Sequence, residues 1–405
     1  MSRRKPGAPI ELTIDAIANG GEGVGRHDGR RVFVANTAQG DRVRVQLGEP
    51  ARLLEVLAPS ADRIDARCAD VARCGGCDWM HLHADVQSRE HRARAERLLG
   101  TVTHHVRADA CGPRERVRLH FQGGRLGYFR ARSAQLCVPR QCHVLATPLE
   151  RARHAFAALL PSALRGELAL ACDGERVTAH LTIAEGEPDA RLVQALEAAL
   201  STEIAGVRVQ VGDSDYAFSI GDPTPSFCAA DDRPLQLPSG GFSQSSARGN
   251  RALAARLMHH AQFPQSNVEV LELYAGAGNF SVLLAAHTTR LTTYEAHREA
   301  SELARKNLAA RGLSAKIHCG DASAATIPKK LPLLVLDPPR IGAKGVLAAA
   351  DRARAQRILY VSCNPLTLAR DAQELGADYR LDALELFELF GETHHVETLA
   401  VWSRV

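Results

Sequence analysis

From Phe242 to the C-terminus, short apolar runs alternate with helical patterns, and that alternation limits the chain to few folds. The runs VEVLELY, RLTTYE, AKIHCGD, LPLLVLD, RILYVS and HVETLAVWS are short, rich in leucine and β-branched residues, and bounded by turn formers. They predict strands, most of them separated by helices. Such alternation predicts a doubly wound parallel sheet, an α/β domain of Rossmann-like type. Ligands bind such sheets at the carboxyl ends of the strands, so the residues just after each run are the candidates for chemistry.

After VEVLELY comes Ala275-Gly276-Ala277-Gly278-Asn279-Phe280, which leads into the helical run SVLLAAH. A glycine-rich strand-to-helix turn lets the backbone approach a ligand closely, although a NAD site or a plain tight turn reads the same way. The second strand ends in Glu295, where a carboxylate accepts both ribose hydroxyls. Asp321 closes the third, and Asp337 opens Asp337-Pro338-Pro339-Arg340 after the fourth. A dinucleotide fold has no need of Asp-Pro-Pro there, whereas two ring-locked residues stiffen a wall beside a flat reacting base. The set favours S-adenosylmethionine over NAD.

RILYVS is followed by Cys363-Asn364-Pro365, which puts a thiol at the same sheet edge. Beside a methyl donor that thiol has a specific use. C5 of a pyrimidine is too electron-poor to attack a methyl group until a thiolate adds to C6. A base must then remove the C5 proton. In FELFGETHHVETLAVW the candidate is Glu397, with His395 behind it. On the residues alone, Glu397 reads equally as a surface ion-pair partner.

Upstream, IELTIDAIA, RRVFVANT, DRVRVQL and ARLLEVL alternate in the β manner between Gly-rich turns, which predicts a small closed barrel. A mixed α+β region follows, with a basic helix over 84–99, strand candidates ERVRLHF and GRLGYFRA, and a helix near 189–200. The expected domains are 1–60, 61–235 and 236–405. Cys68, Cys74 and Cys77 open the central region with C-x5-C-x2-C spacing around Gly75-Gly76, and Cys142 follows after a long loop. Four thiolates suit zinc or an iron–sulfur cluster, and spacing leaves both open. Cys111, Cys137, Cys172, Cys228 and Cys319 read as packing or surface residues, with Cys137 a rival fourth ligand.

In the 405 residues, 50 Lys and Arg nearly balance 46 Asp and Glu, so net charge does not announce a nucleic-acid binder. Arginines do cluster between Arg89 and Arg132, either as a solvated face or as a phosphate-contacting surface. No apolar run is long enough for a membrane span, and MSRRKPGAPIEL lacks the apolar core of a secretory signal. The expectation is a cytoplasmic chain with no membrane association and no evident obligate protein partner. Ten cysteines in such a chain suit ligands and nucleophiles better than disulfides.

Taken together, Phe242-Ser243-Gln244, Leu273 to Ser281, Asp337-Pro338-Pro339-Arg340, Ser362-Cys363-Asn364-Pro365 and His395-Val396-Glu397 resemble the RNA uracil-C5 methyltransferase family, which makes 5-methyluridine. The resemblance implies that Cys363 is the nucleophile and Glu397 the base. It implies a cofactor site lined by Gln244, Tyr274, Asn279, Glu295, Asp321 and Asp337. It further implies a TRAM domain for the barrel and a 4Fe–4S cluster on Cys68, Cys74, Cys77 and Cys142, since the family match falls on Cys142 rather than Cys137. Barrel and cluster together resemble the ribosomal-RNA branch, with 23S RNA the expected partner. Three positions depart from the family pattern: Ser246 for Asn, Gly391 for Pro, and Met80 for Gln. The alternatives are a transfer-RNA uridine enzyme, an RNA cytosine-C5 methyltransferase, and an RNA-binding protein with a degenerate methyltransferase domain.

Overall fold

A computed structural model of the chain describes residues 8–200, 203–212, 216–263 and 267–405. The basic start of the chain and of the expected barrel domain, residues 1–7, lies outside the described residues. Two compact units form, one from residues 1–94, 127–144 and 392–394, the other from 95–126, 145–391 and 395–405. Among the described residues no helix is long and apolar enough to cross a membrane.

In the first unit, strands Ile10–Ile17, Gly23–His27, Arg30–Val34, Arg42–Gln46 and Arg52–Ala58 form an antiparallel sheet with the first strand at its centre. A parallel bridge between Val34 and Ala51 closes it into a barrel. Alternation puts Leu12, Ile14, Val32, Val34, Val43 and Val45 inside. Beside it, Asp41 is fully buried and accepts from the Ala38 amide at 2.7 Å and from Arg63 Nε at 3.1 Å.

The second unit contains two large sheets and a two-stranded pair, Ser226–Cys228 with Pro234–Gln236. In the first, Arg116–Gln122, Arg165–Asp173, Arg176–Glu185, Ile204–Val211 and Ala217–Gly221 lie side by side in chain order. Helices Thr147–Leu159 and Ala190–Ala198 pack with these strands. The second helix starts where the sequence places it, with Asp189 Oδ1 accepting from the Leu192 amide at 2.8 Å.

The second sheet holds five of the predicted runs as parallel strands, in the order Lys316–Cys319, Leu291–Glu295, Val270–Leu273, Leu333–Leu336, Arg357–Ser362. Val270–Leu273 and Leu333–Leu336 are buried at every residue, as strands covered on both faces must be. Strand order reverses between these two, which marks the crevice where ligands bind. The expectation of a wholly parallel sheet is corrected at its far side. Glu397–Arg404 runs antiparallel to Arg357–Ser362, and Tyr379–Phe387, which the apolar runs do not predict, pairs antiparallel outside it. His104–Val106 then adds an eighth strand, parallel to Tyr379–Phe387. Asp382 and Glu385 interrupt the apolar pattern of Tyr379–Phe387. Glu385 is nonetheless fully buried, because His260 Nε2 meets it at 2.7 Å and Arg256 Nε donates to it at 2.9 Å.

Candidate active site

The crevice at the reversal point is built from three strand ends. Tyr274, directly after Val270–Leu273, has φ 63°, a left-handed conformation rare for an aromatic residue. Gly276 follows at φ 56°, and a Cβ there would meet nothing within 4 Å, so this turn presents bare backbone to open space. Glu295 fixes the turn from the neighbouring strand. Its Oε2 accepts from the Gly276 amide at 2.9 Å and its Oε1 from the His297 amide at 2.7 Å, and each oxygen keeps a second lone pair for a ribose hydroxyl.

Asn279 exchanges two side-chain hydrogen bonds, at 2.8 and 2.9 Å, with Asn250 on helix Ala247–Ala261. Asn250 is fully buried, and only a lone amide on an otherwise apolar helical stripe signals it in the sequence. Gln244 is 3 % exposed, and its Oε1 has no hydrogen-bond partner among the described residues. An unpaired buried acceptor is costly unless a ligand donates to it. Asp321 lies exposed at the end of its strand and accepts from the Ser323 amide at 2.8 Å. An open glycine turn, a fixed carboxylate and an orphaned amide oxygen fit a nucleoside-bearing methyl donor. Beneath the turn, buried Glu272 accepts from Ser281 Oγ at 2.5 Å, and burial pushes its carboxyl up to about 8.

Two strand starts and ends make the reactive edge. Ser362 pairs with Thr398 across the antiparallel strands, so Cys363 and Glu397 are the next residues out on the two chains, and the charge of Glu397 acts on the thiol. Glu397 is 3 % exposed, so it is no surface acid. Burial and the nearby Asp337 raise its carboxyl well above the usual range, while Arg340 opposes the rise. Burial raises Asp337 as well. Two desolvated carboxyls close together resist ionising at the same time. Burial pushes the Cys363 thiol up to about 11 and Glu397 adds to this, whereas Arg340 pulls it down by charge and by a side-chain hydrogen bond.

Arg340 belongs to the Asp-Pro-Pro-Arg motif, yet the motif alone does not show that it serves the thiol. Its carbonyl accepts from Thr367 Oγ1 at 3.2 Å and from Asn364 Nδ2 at 3.3 Å, on the helix that Cys363 leads into. Fully buried Asp371, on the same helix, accepts from the Ala343 amide and from Tyr360 Oη, both at 2.7 Å. Between them Gly342 has φ 82°, and a Cβ there would lie 2.4 Å from Asp371 Oδ2. The loop is thus pinned to the helix at both ends. Of the departures from the family pattern, Ser246 has a local explanation: its Oγ caps helix Ala247–Ala261, accepting from the Gly249 amide at 3.1 Å.

In the first unit, Cys74 has Cys68, Cys137 and Cys142 as charge neighbours. Gly75 passes so close to strand Arg125–Phe129 that a Cβ would lie 2.5 Å from the Phe129 carbonyl, and Tyr128 Oη lies 3.3 Å from Cys142 Sγ. Among the described residues no three thiol, imidazole or carboxylate groups converge as ligands of a single ion. Cys111 and Cys172 are buried, Cys137 is buried near the other thiols, Cys228 is half-buried and Cys319 exposed.

Three family models match the chain: the TRAM domain over residues 3–51, the methyltransferase small domain over 236–364, and tRNA (uracil-5-)-methyltransferase over 330–405. A 23S rRNA (uracil(1939)-C(5))-methyltransferase RlmD from Shewanella sediminis is 30% identical, over 99% of this chain and 97% of its own. Its counterpart from Shewanella baltica OS195 is 31% identical with the same two coverages. The chain belongs to the RNA uracil-C5 methyltransferase family. It is an S-adenosylmethionine-dependent RNA methyltransferase with an N-terminal TRAM domain. The Pyrococcus abyssi tRNA (uracil-54, C5)-methyltransferase, solved with S-adenosyl-L-homocysteine, shares its fold at TM-score 0.79, covering 97% of this chain and 99% of that one at 22% identity.

Proposed function

We propose that this enzyme methylates C5 of one uridine in 23S ribosomal RNA, with Cys363 as the nucleophile and Glu397 as the base. The observation that carries this reading is the Ser362–Thr398 pairing, which brings Cys363 and a buried Glu397 to the same sheet edge beside the reversal-point crevice. S-adenosylmethionine supplies an electrophilic methyl group, and Gln244, Tyr274, Asn279, Glu295, Asp321 and Asp337 are proposed to hold it. The Cys363 thiolate adds to C6 of the uracil, and the displaced electron pair makes C5 nucleophilic. C5 takes the methyl group, and S-adenosylhomocysteine departs. Glu397 then removes the C5 proton, the C5–C6 double bond reforms, and Cys363 leaves as thiolate. Arg340 holds the negative charge on sulfur at both ends of the cycle.

Ribosomal RNA as the substrate rests on the full-length likeness to the Shewanella enzymes. The proposed domains are 1–60, 61–235 and 236–405, in a cytoplasmic enzyme. Cys68, Cys74, Cys77 and Cys142 are the proposed holders of a 4Fe–4S cluster, which contributes thiolate-bound iron to the fold. The charge neighbourhood of Cys74, which includes Cys68 and Cys142, supports grouping these thiols as one site. Mass spectrometry of 23S and transfer RNA from a deletion strain tests the reading. Loss of a single 5-methyluridine from 23S RNA, restored by the wild-type chain but not by Cys363→Ala, is expected. An unchanged 23S RNA overturns the assignment.

A further inference from the structure

The chain leaves the second unit after Gly391, runs through the first unit for residues 392–394, and returns at His395, shortly before Glu397. Whatever holds those residues bears on where Glu397 begins its strand. At the exit, Arg114 Nη2 donates to the Gly391 carbonyl at 3.1 Å. Glu392 then takes φ 68°, a left-handed conformation that persists in a residue with a Cβ only where its surroundings hold it.

The first unit supplies that hold from several elements. In the loop after Cys77, the amides of Asp78 and Trp79 both donate to the Glu392 carbonyl, at 3.1 and 3.0 Å. The Asp78 carboxylate reaches the other end of the span: Oδ1 accepts from the His394 amide at 2.9 Å, and Oδ2 meets His394 Nδ1. One residue thus grips the span at its first carbonyl and at its last amide. On helix Ala84–Leu99, buried Gln87 donates from Nε2 to Glu392 Oε2 at 2.9 Å, and buried Arg94 donates to the His394 carbonyl. Arg67 Nη2 donates to Glu392 Oε1 at 3.0 Å. The loop itself is fixed to the barrel, where fully buried Trp79 donates from Nε1 to the Gly21 carbonyl at 2.9 Å. A backbone bonded at both ends cannot slide along its own path without breaking several of these bonds, and Glu397 follows His394 by one short stretch of chain.

The thiol is held independently of this clamp. Around Cys363, the Ser362 carbonyl accepts from Thr398 Oγ1, and Asn364 and Thr367 both donate to the Arg340 carbonyl. Opening the clamp therefore displaces the base while the nucleophile keeps its place. A base must lie within hydrogen-bond reach of the proton it removes, and a misplacement of about 1 Å costs up to about 100-fold.

We propose that Asp78 is a positioning residue for the elimination step: by clamping residues 392–394 it sets Glu397 against the C5 proton. The proposal rests on Glu397 as the base and adds to that reading a distant residue that acts after methyl transfer.

The test follows a single turnover of transcribed 23S RNA with labelled S-adenosylmethionine on denaturing gels. In Asp78→Ala the covalent labelled band is expected to form at the wild-type rate and to decay about 10- to 100-fold more slowly. S-adenosylmethionine affinity and iron content should stay at wild-type values. Asp78→Asn keeps an oxygen for the His394 amide and should restore most of the decay rate. Added to Glu397→Gln, Asp78→Ala should change nothing further, because the base it positions is already gone. Decay at the wild-type rate in Asp78→Ala overturns the proposal. So does an equal slowing of formation and decay, which marks a general loss of structure. If Asp78→Ala loses iron, Glu392→Ala, which removes the Gln87 and Arg67 bonds, takes its place with the same expected and overturning results. Absence of the band in Glu397→Gln overturns the base assignment itself, whereas a trapped band there with normal decay in Asp78→Ala overturns the clamp alone.

Discussion

Thr398 Oγ1 donates to the buried Ser362 carbonyl at 2.8 Å, locking the antiparallel strand to the strand that delivers the thiol. This contact explains why the last strand must run backwards. A parallel final strand would present its carboxyl end at this edge, with Glu397 at the far side of the sheet. Running antiparallel, it brings its first residue to the edge where Cys363 directly follows the neighbouring strand.

If that pairing sets up addition and elimination, the two residues fail at different steps. Cys363→Ala should abolish methylation and form no covalent species. Glu397→Gln should add, transfer the methyl group and stall before elimination, leaving enzyme bonded to methylated RNA. With labelled S-adenosylmethionine, a denaturing gel should show a slow labelled band for Glu397→Gln, absent when Cys363→Ala is added. Normal turnover by Glu397→Gln would move the base elsewhere, with His395 the first candidate. A dead variant without the band would place Glu397 at or before methyl transfer.

The thiol of the free enzyme should react as a high-pKa cysteine. With the group pushed up to about 11, alkylation of the Cys363 peptide by iodoacetamide should rise about tenfold per pH unit between pH 7 and 10. Arg340→Ala removes the cation that lowers this value, so alkylation at pH 8 should slow, by up to about tenfold for a shift of one unit. Arg340→Lys should restore part of the rate. Equal rates in all three proteins would remove Arg340 from thiolate stabilisation.

The strand-end acids were legible because each follows a continuous apolar run, and strand ends are where such sheets bind ligands. Strand direction was not, because pairing is a non-local property and the neighbouring Tyr379–Phe387 hides behind Asp382 and Glu385. Ser246 read as a departure from the family, although serine is among the preferred helix caps and performs that task here. Arg340 stood in plain view, but its link to the thiol depends on the Asp371 and Thr367 contacts that shape its loop. Arginine density misled in part. Arg89 pairs with Asp62 at 2.6 Å, and buried Arg94 donates to the Asn19 carbonyl at 2.9 Å, so some of the basic segment serves the fold.

For the thiol group, anaerobically purified protein is expected to be brown and to hold about four irons per chain. Serine at Cys68, Cys74, Cys77 or Cys142 should each bleach the colour, while Cys319→Ser should not. Stoichiometric zinc in colourless anaerobic protein would overturn the iron assignment. Bleaching by Cys137→Ser but not by Cys142→Ser would move the fourth ligand.

Acid stability should depend on one buried ion pair behind the active-site sheet. Burial alone would raise Glu385, but hydrogen bonds and charge from Arg256 and His260 outweigh it and hold the carboxyl down at about 2, against an ordinary 4.5. A depressed folded value means that the stabilisation is fully present above about pH 4.5 and is lost as pH falls towards 2. Glu385→Gln keeps the shape but leaves Arg256 without its counter-charge, and Arg256 is 31% exposed, so water compensates part of the loss. The cost near neutrality should therefore lie at the low end for a broken buried pair, about 3 kcal/mol. Urea unfolding followed at pH 7 and pH 3 measures both effects. The gap between wild type and variant should be wide at pH 7 and clearly narrower at pH 3, where the wild-type carboxylate has begun to lose its advantage. A gap that stays constant across that interval would mean Glu385 acts through packing alone, and the charge of Arg256 and His260 would have no part in holding the strand.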